Sequence, residues 1–353
     1  MSPSPGTTLR EEYDVDELSL RTGFEIELLA PAGSDRQVLA DDLAARLGGQ
    51  VRRSFHTDSE PSVVPGVGVF RHLSPAFDVV DAAGRPVARL VDDITLVADL
   101  VPGAPRRPGW YRVLCDDARL LRLIERHADP DAPLTTVLDP LAELFGVRTE
   151  LVGSAARVDD PSGATVAVAM PLPAGRERPC EIITPPIDTD HGAALERLLV
   201  PARELGFTVP REAAVHLHVD GAPFRRPEAF ANVVRLFGHW RDQLWAALDT
   251  NPACRRLAPL PDALLDLVET DADAVTHATG LTKYADVNLT QLVTSKPVRD
   301  TLEVRILPGA IDGPSIVRRA ALVEALLARC LDPQPLPRPG EGATVHDLVA
   351  VHR

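Results

Sequence analysis

A two-residue alternation of apolar and polar positions recurs in four short stretches of the chain. In Thr22-Gly23-Phe24-Glu25-Ile26-Glu27-Leu28 it places Phe24, Ile26 and Leu28 on one face of a strand and Glu25 and Glu27 on the other. Glu181 opens Glu181-Ile182-Ile183-Thr184-Pro185-Pro186. His216-Leu217-His218-Val219-Asp220 puts two imidazoles and a carboxylate on one face, and Thr301-Leu302-Glu303-Val304-Arg305-Ile306-Leu307 pairs Glu303 with Arg305. Each stretch predicts a strand with an apolar side for a core and a side of ionisable groups. Joined in one sheet, they would make it half core and half active site.

Between these stretches the period changes. Ser34, with Gln37 three residues on, predicts a helix cap; Val38, Leu39, Leu43 and Leu47 form the apolar stripe and Gly48-Gly49 the stop. Strands are expected at 50–56, 67–71 and 76–81, the last turning at Ala82-Ala83-Gly84 into 86–98. Further strands are expected at 110–114, 147–153 and 164–170, with helices near 116–128 and 138–145 and a loop at 103–109. A helical pattern at 190–205 contains Pro201, which predicts a kink or a split. Pro227 fits the first position of an amphipathic core helix through Leu248, a short helix is expected at 261–269, and Pro314 starts the last long helix. The polar-face stretches run from residue 25 to 305. One composite α+β catalytic domain over 19–331 is therefore expected, after a loose leader (1–18) and before a C-terminal tail (332–353).

Charge narrows the function. With 37 basic and 51 acidic side chains the net charge is −14, which argues against a nucleic-acid or anionic-membrane surface. Cys115, Cys180, Cys254 and Cys330 are too dispersed for a zinc knuckle or a dense disulfide framework. No apolar run is long enough to cross a membrane and the N-terminal stretch has no signal-peptide core, so the cytoplasm is expected.

Glu25, Glu27, Glu181 and Glu303 brought together could not all stay ionised without a cation. Hard oxygen ligands of this kind suit Mg²⁺ or Mn²⁺, with His216 as a nitrogen ligand. Arg305 beside Glu303 offers a fixed positive charge for phosphate. Carboxylates, a divalent ion and an arginine are the parts of a phosphoryl-transfer site, here without a P-loop. In Lys283-Tyr284-Ala285-Asp286-Val287-Asn288, Lys283 could meet a phosphate and Asn288 a substrate. Arg52, Arg53, His56, Asp58 and Glu60, with Asp92-Asp93, are read as a charged surface loop or a substrate-side lining.

Taken in order, Gly-Phe-Glu-Ile-Glu, Glu-Ile-Ile-Thr-Pro-Pro, His-Leu-His-Val-Asp, Lys-Tyr-Ala-Asp-Val-Asn and Thr-Leu-Glu-Val-Arg-Ile-Leu-Pro resemble the amidoligase family over roughly residues 20–330. These are carboxylate–amine ligases related to glutamine synthetase and glutamate–cysteine ligase. The resemblance implies a curved, mainly antiparallel sheet with helices on its outer face. It also implies ATP- and Mg²⁺-dependent amide formation through an acyl phosphate. By the same resemblance Glu25, Glu27, Glu181, His216 and Glu303 would hold metal, and His218 and Arg305 would face phosphate; Arg305, Glu303 and Asn288 are read as the catalytic set. Thr301 stands where glutamine synthetase has an arginine, and Ala213-Ala214-Val215 replaces its glycine-rich lead, so the substrate is not expected to be that of glutamine synthetase. The expected partners are a carboxylate and an amine, peptides included, and an oligomer is compatible with the sequence. The alternatives are a phosphotransferase of the same fold, a non-catalytic metal-binding module and a metallohydrolase.

Overall fold

The computed structural model describes residues 18–61, 69–101, 103 and 105–350. Its elements run β1 (Thr22–Leu29), α1 (Arg36–Arg46), β2 (Gln50–Pro61), β3 (Val69–Val80), β4 (Pro86–Val91), β5 (Tyr111–Cys115), α2 (Ala118–His127), α3 (Asp139–Phe145) and β6 (Glu150–Val152). There follow β7 (Ala155–Asp159), β8 (Thr165–Pro171), β9 (Pro179–Ile183), α4 (His191–Glu204), β10 (Ala214–Asp220), α5 (Pro227–His239) and α6 (Arg241–Leu248). The chain closes with α7 (Asp262–Thr270), α8 (Ala274–His277), β11 (Val287–Asn288), β12 (Thr301–Pro308), α9 (Gly313–Cys330) and α10 (His346–Ala350). Named strands pair antiparallel throughout, and with the helices they make an α+β fold. Residues 1–17 of the expected leader and 351–353 of the tail lie outside the described residues, as do residues 67 and 68 of one expected strand.

Two compact units divide the chain. The first takes the described residues of Met1–Ile26, Thr184–Val200 and Arg211–Arg353; the second takes those of Glu27–Ile183 and Pro201–Pro210. In the first unit the strand order is β11-β12-β10-β1. Phe24, Ile26, Leu217, Val219, Leu302, Val304 and Ile306 are buried on this sheet, as their alternation requires. Pro227 opens α5 as expected, but the helix stops at His239 rather than continuing to Leu248. The break falls at Trp240, whose backbone leaves helical values at φ −100°, ψ 14°, and whose indole Nε1–H donates 2.7 Å to Pro337 O. Asp312 caps α9 by accepting from Ser315 N at 2.9 Å, and Ile316, Val317, Leu322, Leu326 and Leu327 face inward.

In the second unit the order is β9-β4-β3-β5-β8-β7-β6, with β2 on β3. The cap of α1 is Asp35, whose carboxylate accepts from Val38 N at 3.1 Å, and not Ser34. Arg36 enters the core fully buried. It donates to Pro75 O, Arg176 O, Glu177 O and Pro179 O and lies 4.7 Å from the Trp110 ring centroid. After α1, Gly49 passes so close to β3 that a Cβ there would stand 1.9 Å from Val80 O.

The two short strands expected at 67–71 and 76–81 belong to one long strand, β3, with Pro75 inside it. β3 pairs β5 at His72 and Leu73 and β4 from Phe77 to Val80. Pro75 falls between those partners on that side, so its missing N–H leaves no ladder bond unmade. The strand expected to reach Ala98 stops at Val91, where Asp93 turns the chain by accepting from Thr95 N at 2.8 Å. β7 has no counterpart in the expected elements, and Pro201 sits within an uninterrupted α4.

Candidate functional site

The register of the first unit's sheet decides which polar side chains meet. Glu25 on β1 lies opposite His216 on β10, His218 on β10 opposite Glu303 on β12, and Glu303 opposite Asn288 on β11. Side chains two residues apart share a face, so His216 and His218 both turn toward the two glutamates. His216 Nδ1 is 3.2 Å from Glu25 Oε2 and 3.6 Å from Glu303 Oε1. Asn288 Nδ2 donates to Glu303 Oε2 at 2.7 Å, while its own Oδ1 accepts from Thr290 N and Oγ1 at 3.1 and 2.6 Å. Asn288 therefore fixes the rotamer of Glu303. Arg305 Nη1 donates to Glu303 Oε1, and its backbone N–H donates 3.0 Å to Asp286 O.

His218 is held from the other end. Its Nδ1 lies 3.1 Å from Thr301 Oγ1, and its buried Nε2, 3.2 Å from Glu25 Oε1, is outside hydrogen-bonding geometry. A ring nitrogen fixed by one partner with the second nitrogen turned toward carboxylates is the usual arrangement of a metal-ligating histidine. Thr301 thus orients this imidazole.

Burial opposes ionisation at Glu25, but the charge of His218 and the hydrogen bond and charge of His216 outweigh it and hold the carboxyl well below its usual range. Glu303 is lowered too: burial and the repulsion from Glu25 are overcome by Arg305, His218 and His216. His218 moves up, because the Glu25 carboxylate outweighs the burial of its ring. Both carboxylates are thus kept as anions in a site where they are 9% and 7% exposed. Glu25, His218 and Glu303 each offer one ligand atom, and the three atoms lie within 4.8 Å of one another. Two anionic oxygens and one nitrogen at that separation fit a divalent ion.

The structure thus brings together Glu25, His216, His218, Asn288, Glu303 and Arg305. Lys283 is exposed, with its ammonium 5.4 Å from the Tyr284 ring centroid. Glu27 and Glu181 belong to the second unit, Glu27 buried on β1 and Glu181 on β9 opposite Val91. One residue at the site was not expected from the alternation. Arg299 lies outside any strand, and its Nη1 donates 3.2 Å to Glu25 Oε1.

In the second unit the polar set starting at Arg52 lies on strand β2, not on a loop. Asp58 is buried, accepts from Ser74 Oγ at 2.5 Å and faces His72 Nε2 at 3.4 Å. Asp92 is likewise buried and is paired with Arg176 at 2.5 Å.

Cross-strand carboxylates, imidazoles and an arginine thus meet on one face of an antiparallel sheet. The family model described as "putative amidoligase enzyme" matches residues 18–327, and the chain belongs to that family. The resemblance carried by the five ordered motifs is borne out. Comparison with curated proteins gave no match. No described helix is long and apolar enough to cross a membrane.

Proposed function

We propose that the protein is an ATP- and Mg²⁺-dependent carboxylate–amine ligase acting on a peptide or an amino-acid-derived substrate. The observation that carries this reading is the Glu25–His218–Glu303 arrangement, with its three ligand atoms within 4.8 Å and Arg305 bonded to Glu303. Membership of the amidoligase family supports it, and the match across both units supports reading 19–331 as one catalytic domain of the glutamine-synthetase-like kind. The cytoplasm, where ATP is supplied, is the compartment the reading implies.

The divalent ion, Mg²⁺ or Mn²⁺, would be held by Glu25, His218 and Glu303 and would neutralise phosphate charge. Arg305 adds a planar, permanent cation for the phosphoryl oxygens. Asn288 and Thr301 keep Glu303 and His218 in their rotamers, so the site is organised before ligands arrive. In the first step a carboxylate oxygen of the substrate attacks the γ-phosphorus, the bond to the β-phosphate oxygen breaks, and ADP leaves. In the second an amine nitrogen attacks the acyl carbon, the C–O bond to phosphate breaks, and the nitrogen loses a proton. We assign Glu27 and Glu181 to further metal contacts, His216 to supporting both Glu25 and Glu303, and Lys283 to nucleotide.

Calorimetry of ATP with and without Mg²⁺, on the wild type and on Glu25→Gln, tests the reading. Binding that requires Mg²⁺ and is lost in the folded variant is expected. Equal binding in both proteins, or binding indifferent to Mg²⁺, would sink it. ADP release that depends on an amine then separates a ligase from a phosphotransferase.

A further inference from the structure

Each glutamate of the proposed cation site already has its own arginine. Arg305 holds Glu303 from within β12, with its side chain 14% exposed. Arg299 holds Glu25 from the segment before β12, with its side chain 55% exposed and the neighbouring Val298 91% exposed. A divalent ion bound between two carboxylates that are both already neutralised would add two positive charges to a buried site. One guanidinium must withdraw, and only Arg299 has water to withdraw into.

The main chain around Arg299 is anchored independently of that guanidinium. Gln291 Oε1 accepts from Val298 N at 2.9 Å and from Arg299 N at 3.4 Å. Asp300 is bonded to Arg225 Nη1 at 2.6 Å, and its carbonyl accepts from Gly221 N at 3.0 Å. Arg299 can therefore leave Glu25 by side-chain rotation alone, without moving the segment or β12.

Resting on the metal reading above, we infer that Arg299 is a resident counter-ion of Glu25 that exchanges with the divalent cation. It pairs with the carboxylate while the metal is away and must be displaced when the metal enters. It is a positioning residue that acts through Glu25. The exchange sets the metal affinity below what Glu25, His218 and Glu303 would give by themselves.

The test is Mn²⁺ titration of the full-length protein without nucleotide, by calorimetry and by the loss of the free-Mn²⁺ electron-spin signal. Wild type, Arg299→Gln and Arg299→Lys are compared, with circular dichroism showing that each is folded. Removing an ion pair as exposed as this one should tighten Mn²⁺ binding about two- to fivefold in Arg299→Gln. Arg299→Lys, which keeps the charge, should stay near the wild type. Unchanged or weaker binding in Arg299→Gln, with a wild type that does bind Mn²⁺, would overturn the inference alone. No Mn²⁺ binding by any of the three would overturn the metal reading and the inference together. Binding by Arg299→Gln but not by the wild type would support both.

Discussion

His72 Nε2 lies 3.4 Å from Asp58 Oδ2, and burial drives the two groups of this contact in opposite directions. Burial, then the nearby Arg112 charge, lowers His72 to about 4. Burial, then repulsion from Asp92, raises Asp58 well above its usual value in spite of the hydrogen bond from Ser74. Both groups are thereby held toward their neutral forms.

Opposed shifts make a pH prediction. The contribution of His72 is present above the unfolded value of 6.5 and is lost as pH falls toward about 4. That of Asp58 is present below 3.8 and is lost as pH rises through its raised value. Between these limits the two partly cancel. Asp58→Asn should leave the His72 effect exposed, so that stability falls by up to about 3 kcal/mol on acidification from pH 6.5 to 4. His72→Gln should tilt the profile the other way. Urea unfolding across that range checks both, and three superimposable profiles would refute the assignment.

Arg305→Ala is expected to lower turnover by at least about a thousandfold, as loss of an arginine that meets transferring phosphate does. The backbone bond from Arg305 N to Asp286 O does not depend on the side chain, so β12 should keep its place. Arg305→Lys should recover only part of the rate, because a point charge cannot bond two oxygens as a fork. Rates read beside thermal unfolding separate this from misfolding. Full activity in Arg305→Ala would remove it from the reaction.

Asp286 is 1% exposed and accepts from Arg241 Nε at 2.7 Å and Trp245 Nε1 at 2.8 Å. Asp286→Ala leaves that guanidinium without its carboxylate and the indole N–H without an acceptor. A loss of about 3 kcal/mol is expected in denaturant unfolding. Asn288, which holds Glu303, lies two residues along the same backbone, so Mn²⁺ affinity should weaken in parallel. A stability change below about 0.5 kcal/mol would show that the pair contributes little.

At Gly49 the added methyl of Gly49→Ala would meet a carbonyl oxygen and not a side chain that could rotate away. Either α1 or β3 must shift. The expected cost is about 3 kcal/mol or more, read as a lowered melting temperature. Gly84→Ala is the control. Gly84 has a positive φ, 77°, and nothing lies within 4 Å of its added Cβ, so only backbone strain is added there.

The four alternating stretches were legible because they obey one rule over several residues: apolar side chains inward, ionisable ones on a common face. Glu25, His216, His218 and Glu303 were found that way, and cross-strand register then brought them together. Arg299 could not be found so, because it sits outside any periodic element and reaches Glu25 only through tertiary placement. The stretches expected at 67–71 and 76–81 proved to be one strand because Pro75 stands where its missing N–H is not needed, and that depends on which strands flank β3. The cap of α1 moved one residue because Asp and Ser are both good caps and local sequence does not choose between neighbours. Asp58 is buried because β2 runs on to Pro61, a length that a reading of 50–56 does not reach.

Arg36 carries a consequence for how this fold can change by mutation. Its guanidinium satisfies four carbonyls from two separate stretches of chain, at Pro75 and at Arg176, Glu177 and Pro179. Lysine presents its donors from a single point and glutamine has too few. No one-step substitution therefore preserves the junction, and losing it strands several acceptors away from water at once. A change that shifts the backbone at 75 or at 176–179 must therefore be accommodated at Arg36, where the two paths meet.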